Sequence, residues 1–270
     1  MNWADIEISG VERAADAPPP GIVVNAPARA DLLADVAQRM QAGRGYTIAT
    51  LNLDHVVKIR RDPEFRQAYA RHSHVTADGN PIVWLSRLAG QQLELMPGSE
   101  LIDPLAALAA EHDVPVGFLG STQEVLEAAA IALRRKHPGL RITARIAPPM
   151  GFDPRGAGAG DSIAELRAAG VGLCFLALGA PKQEIFAAHA APQMPQTGFV
   201  SIGAGLDFIA GHQSRAPRWV RRLALEWLWR LLSHPGRLGR RYGACIAILP
   251  RLLAEAFRSR AADKTGHPLP

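Results

Sequence analysis

The chain has 270 residues, 48% of them hydrophobic and 20% charged, a globular composition that excludes wholesale disorder and allows a substantial core. Its net charge of +5 is unevenly placed: residues 215–260 hold eleven Arg against two Glu, whereas residues 1–214 are net acidic at −4. Basicity is therefore a property of the C-terminal part, and an acidic body argues against nucleic acid as its partner.

In chain order, residues 1–20 end in APPP and read as an extended lead-in. Short β-rich runs then alternate with helical ones. GIVVN precedes ARADLLADVAQRM, where Leu32, Leu33, Val36 and Met40 recur at helical spacing. YTIATLN precedes DHVVKIRRDPEFRQAYARH, HVTADG precedes NPIVWLSRLAG, and PVGFLG precedes STQEVLEAAAIALRRKH. RITARI leads into GFDPRGAGAG, whose Gly156, Gly158 and Gly160 read as a flexible connector rather than a phosphate cradle, with a helix from Asp161. GVGLCFLALG precedes APKQEIFAAHA, and GFVSIGAG ends the series. Several runs are apolar without alternation, as parallel strands covered on both faces must be. The expectation for residues 21–211 is a Rossmann-like α/β domain: an open, mainly parallel sheet with flanking helices, binding ligands beyond the carboxyl ends of its strands.

After Gly211 no strand follows. Pro217 suits a first helical turn, and Val220, Leu223, Ala224, Trp227, Leu228 and Leu231 form an apolar stripe away from Arg218, Arg221, Arg222 and Arg230. SHPG breaks that helix; a second is expected from Arg237 to about Arg260, bent at Pro250. Residues 212–260 thus read as a basic amphipathic helical appendage, with 261–270 as a tail. Arginine and tryptophan together suit a membrane headgroup region, while core packing of the tryptophans is the competing reading. Arginines on nucleic-acid phosphates are a third, without a recognised motif behind it.

Cys174 and Cys245 lie in apolar runs and give no disulfide or metal pattern. The acidic N-terminus lacks the pattern of a signal peptide, and no window reaches the roughly 18 apolar residues of a spanning helix. A cytoplasmic chain that meets a membrane only from the side is expected.

Three strand ends carry polar residues. Thr50 and Asn52 close the first; Asn52 or Asp54 as a mere helix cap is the commoner role for such residues. Asp78 follows the second, where a carboxylate could act as a general base or simply make an Asp-Gly turn. The third is LGAPKQE, where Gly179 permits close approach, Lys182 adds charge and Gln183 can pair with a base or sugar. SIGAGLDF is similar, with Gly203 and Gly205 permitting approach and Asp207 able to hold a ribose. No Walker loop, dinucleotide fingerprint, serine-hydrolase elbow or Asp-x-Asp pair is present.

Taken in order, TLNLDH, TADGNPIVWLSR, PGSELI, PVGFLGSTQEVLEAAA, LGAPKQE, SIGAGLDFIAG and RAPRWVRRLALEWLWRL…HPGRLGRRY resemble the WecG/TagA/CpsF proteins, glycosyltransferase family 26, over roughly residues 20–253. The resemblance implies an inverting, metal-independent transfer, without cofactor, from a UDP-sugar to a polyprenyl-diphosphate-linked saccharide in bacterial surface or exopolysaccharide assembly. It implies a peripheral enzyme on the inner face of the cytoplasmic membrane, leaving homo-oligomerisation open and nucleic acid excluded. It places the general base on Asp78, a polar pair on Thr50 and Asn52, and the sugar-nucleotide contact on Gln183. Arg215, Arg218 and Arg222 become diphosphate or membrane contacts. One departure stands out: ELMPGSEL has Leu95 where relatives often have Arg, and Glu100 where they have Asp. The lost cation favours an uncharged donor sugar.

Overall fold

The computed structural model describes residues 1–3, 21–212 and 235–265. Six strands, β1 (Tyr46–Leu51), β2 (His74–Ala77), β3 (Val116–Gly120), β4 (Ile142–Ile146), β5 (Leu173–Ala177) and β6 (Gly198–Ser201), form one sheet. Its order is β2-β1-β6-β5-β3-β4 and every neighbouring pair is parallel. Such a sheet must be covered on both faces, which is why β1, β3 and β6 are buried along their whole length.

One face carries α1 (Arg29–Gln41), α5 (Gly98–Glu111), α6 (Gln123–Lys136) and α9 (Gly205–Ile209), packed on Tyr46, Ile48, Phe118, Phe175 and Val200. The other carries α2 (Leu53–Arg61), α3 (Pro63–Ala70) and α4 (Asn80–Leu88) over β1 and β2, and α7 (Ala157–Ala168) and α8 (Lys182–Ala190) over the remaining strands. The last helix, α10 (Pro235–Thr265), lies on α2 and α4 and buries Leu252 and Ala256 in the same cluster as Val56, Ile59 and Ile82. Two ion pairs flank that seam, Arg241–Asp54 at 3.0 Å and Arg60–Glu255 at 2.6 Å. Among the described residues no helix is long and apolar enough to cross a membrane.

The expected α/β sheet is present, with four local differences. GIVVN is not a ladder strand. It runs along the outer edge of β2, where the Asn25 side chain accepts from Val75 N at 2.7 Å and donates to Ser73 O at 2.8 Å. DHVVKIRRDPEFRQAYARH is two helices, because Pro63 cannot continue α2 and Asp62 caps the next helix through Glu64 N and Phe65 N. The glycine-rich connector is shorter than expected: α7 begins at Ala157, so Gly158 and Gly160 are helical, with the Gly158 carbonyl accepting from Ser162 Oγ at 2.8 Å.

The fourth difference is α5, hidden in the sequence by Pro104 at its seventh position. Proline removes the N–H that would bond the carbonyl four residues earlier, that of Glu100. Arg29 replaces it: its guanidinium donates to Glu100 O at 3.4 Å and pairs with the Glu100 carboxylate at 3.4 Å. A partner from another helix thus meets an acceptor that the helix itself leaves open.

Candidate functional site

The chain passes outward from β1 to β2, crosses to β3 and β4, then returns through β5 to lay β6 beside β1. Beyond β1 it leaves toward α2 on one face, and beyond β6 toward α9 on the other. A crevice opens where such connections diverge. Thr50, Asn52, Asp78, Gly179 and Gly203 stand at or just beyond the carboxyl ends of β1, β2, β5 and β6.

On the β1 and β2 side, Asn52 uses both ends of its amide. Its Oδ1 accepts from His55 N at 3.0 Å, capping α2, and its Nδ2 donates to Asp78 Oδ2 at 3.3 Å. Asp78 N donates to Leu51 O at 2.7 Å, carrying the parallel ladder one residue past β2 and fixing the carboxylate above the sheet. Gly79 follows with φ +98°, a conformation open to glycine and costly for most residues, and lets the chain turn into α4. Thr50 is buried on β1, opposite Thr76 of β2.

Asp54, the other capping candidate, does not cap α2. Its carboxylate is a shared anion, with Lys58 Nζ at 2.9 Å and Arg241 at 3.0 Å. Lys58 also donates to the carbonyl of Ala180 at 3.3 Å, tying α2 to the loop beyond β5.

On the β5 and β6 side, Gly179 and Gly203 have φ +71° and +55°, and a Cβ at either would meet open space. Among the described residues nothing stands where a Cβ would be at either turn, although the Gly203 N–H and the Gly179 carbonyl are both taken by Gln183. Gly205 is different. A Cβ there would stand 2.5 Å from Ile102 Cδ1, so its smallness serves the packing of α9 on α5. Lys182 is half-buried at the first position of α8. Asp207 on α9 faces the end of β3, where Ser121 Oγ donates to its two oxygens at 3.4 and 3.5 Å. Ser121 has φ +57° and was not singled out from the sequence; its only signal there is a polar residue directly after a buried strand.

Gln183 turns inward. Its Oε1 accepts from Gly203 N at 3.1 Å and its Nε2 donates to Glu184 Oε1 at 2.8 Å, so one buried amide joins the loops beyond β5 and β6. Glu184 is fully buried, and desolvation pushes its carboxyl up to about 7. A protonated carboxyl fits an oxygen, Oε2, that has no hydrogen-bond partner among the described residues. Tyr69 is buried in the cluster with Val56, Ile59 and Phe65, and its hydroxyl is raised by burial and by the fields of Glu184 and Asp78. Tyr69 Oη meets His55 Nδ1 at 3.1 Å, and burial holds His55 down to about 3, a neutral imidazole. His55, Tyr69 and Glu184 were not among the expected site residues, because nothing in their spacing marks three residues on separate helices as neighbours.

Leu95 pairs with Ala77 in a bridge beside the end of β2, and the Arg29 guanidinium reaches its carbonyl at 3.5 Å while bound to Glu100. Arg215, Arg218 and Arg222 lie outside the described residues.

The crevice therefore offers a carboxylate oriented by an amide, open space at two glycine turns, and cations at its rim. The sequence model of the glycosyl transferase WecG/TagA/CpsF family matches residues 19–265. The chain belongs to that family and is a glycosyltransferase.

Proposed function

We propose that this protein transfers a sugar from a UDP-sugar to a polyprenyl-diphosphate-linked saccharide, with inversion at the anomeric carbon. The single observation that carries the reading is Asp78, held by Asn52 at 3.3 Å just beyond the end of a parallel strand. In this reading the Asp78 carboxylate takes the proton of an acceptor hydroxyl as its oxygen bonds to the anomeric carbon. The bond from that carbon to the UDP oxygen breaks, and UDP leaves with the electron pair. Asn52 and Thr50 orient base and acceptor, while Gly179 and Gly203 leave room for the diphosphate, with Lys182 at the helix start to match its charge. Asp207 takes the ribose hydroxyls, and Gln183 keeps the two phosphate-side loops in register. Arg215, Arg218 and Arg222 complete the site or bind anionic lipid, on the inner face of the cytoplasmic membrane. The reaction runs without a metal ion. An uncharged sugar is the preferred donor, since Leu95 replaces an arginine and the guanidinium of Arg29 is already matched by Glu100.

A panel of UDP-sugars, incubated with membranes carrying lipid-linked acceptors and read by UDP release, tests this. Release with UDP-glucose or an uncharged UDP-N-acetylhexosamine, undiminished by EDTA, is expected. Asp78→Asn should slow it by roughly two to four orders of magnitude, the usual worth of a general base, with the fold kept. Reaction with UDP-uronates alone, loss restored by magnesium, or an unimpaired Asn variant would each remove the corresponding part.

A further inference from the structure

Two cations at the crevice rim have no part in the account above. Lys58 comes from α2 and Arg241 from α10, and both converge on one oxygen, Asp54 Oδ2, at 2.9 and 3.0 Å. Their exposures are unequal: the Asp54 side chain is 10% exposed, whereas those of Lys58 and Arg241 are 36% and 43% exposed. One carboxylate neutralises one cation, so the cluster keeps a formal excess of one positive charge, facing outward. Lys58 adds a bond to Ala180 O at 3.3 Å, next to Gly179. A bridge that served only to dock α10 would need Arg241 alone. Besides its i,i+4 pair with Asp54 along α2, the lysine bonds the loop beyond β5, which brings its charge next to Gly179.

We propose that Lys58 and Arg241 form a diphosphate-binding pair, with Asp54 as the internal counter-ion that holds both in place until a phosphate replaces it. A guanidinium and an ammonium together suit a diphosphate: the first gives a planar fork for one phosphate, the second a mobile point charge for its neighbour. A diphosphate carries at least two negative charges, so its approach outweighs the single excess positive charge of the cluster and draws both cations from Asp54 toward the phosphates. Because Arg241 belongs to α10, an occupied site also fastens that helix to the β5 loop. The proposal rests on the UDP-sugar and lipid-diphosphate reading, and both substrates carry the group concerned.

Binding of UDP and of geranyl diphosphate, a soluble prenyl diphosphate, is measured by calorimetry on the full chain. Lys58→Gln and Arg241→Gln should each weaken one of the two by roughly 10- to 100-fold, as expected for a lost charge-assisted hydrogen bond. Asp54→Asn, which removes the competing anion, should leave that affinity unchanged or tighten it. Weakening confined to UDP assigns the pair to the donor, and weakening confined to the prenyl compound assigns it to the acceptor. Arg60→Gln, which breaks the other α10 ion pair, should move neither affinity. If all three cluster variants lower the melting temperature while the affinities stay at the parent's value, the cluster is a structural bridge and the proposal fails alone. Should the parent bind neither diphosphate, the functional reading falls with it.

Discussion

At the scale of single residues, Glu184 couples the site to pH. Its carboxyl ionises at about 7 in the folded chain because it is desolvated, against an ordinary 4.5 when exposed. The folded state thus binds its proton more tightly, and stability is lost as pH rises from about 4.5 through about 7. His55 and His72 act in the opposite sense: burial lowers them to about 3 and about 4, so their contribution is lost as pH falls from about 6.5 toward those values. Glu184→Gln keeps an oxygen for the Gln183 amide and removes the ionisation. The variant should match the parent near pH 5 and melt at a higher temperature than the parent at pH 8, by thermal unfolding in parallel buffers. A melting difference that does not grow with pH would show that Glu184 is not held protonated.

At the scale of elements, α5 and the start of α1 are one unit. Arg29 bonds the carbonyl of Glu100, which Pro104 cannot reach with an N–H of its own, pairs with the Glu100 side chain, and reaches Leu95 O. Arg29→Ala should therefore destabilise the chain by roughly 1–2 kcal/mol, from the loss of its hydrogen bonds to the Glu100 and Leu95 carbonyls and its ion pair with Glu100. In a Pro104→Ala background, where the helix regains its own N–H donor, the same change should cost clearly less. Urea unfolding of the four proteins gives the coupling. Equal cost in both backgrounds would mean that Arg29 acts through charge and packing alone. Residue spacing gave no hint of this pairing, since positions 29 and 100 belong to helices that only the fold brings together.

For the whole molecule, α10 decides how far the catalytic body extends. Leu252 and Ala256 are fully buried against α2 and α4, and Cys245 is 5% exposed. Ending the chain after His212 should lower the unfolding free energy by roughly 3–5 kcal/mol, from the apolar surface uncovered on α2 and α4. The two ion pairs add little where they are solvent-accessible. Urea denaturation checks this, and an unchanged midpoint would show that α10 is an accessory to a self-sufficient body. The opposite expectation, a mobile appendage whose loss leaves the body intact, concerns residues 213–234 as much as α10, and these lie outside the described residues.

Apolar runs without alternation dictate buried parallel strands, because each must be covered twice, and their alternation with helical periodicity fixes the α/β class. The polar residues after those runs were legible for the same reason: a strand end is where a parallel sheet meets solvent and ligand. The sequence by itself therefore determined the sheet, its helical layers and the neighbourhood of Thr50, Asn52, Asp78, Gly179 and Gly203. It also carried the ordered motifs of the family. Only the tertiary structure decided what each polar group faces. Gln183 spends its amide on a neighbouring loop, Gly205 is small for the sake of Ile102, and Asp54 gathers cations from two helices. Hydrophobic periodicity is a local property of the chain and survives in one dimension. Pairing across 20 or 187 residues, as between Gln183 and Gly203 or Asp54 and Arg241, depends on the strand order and on the packing of α10 against α2.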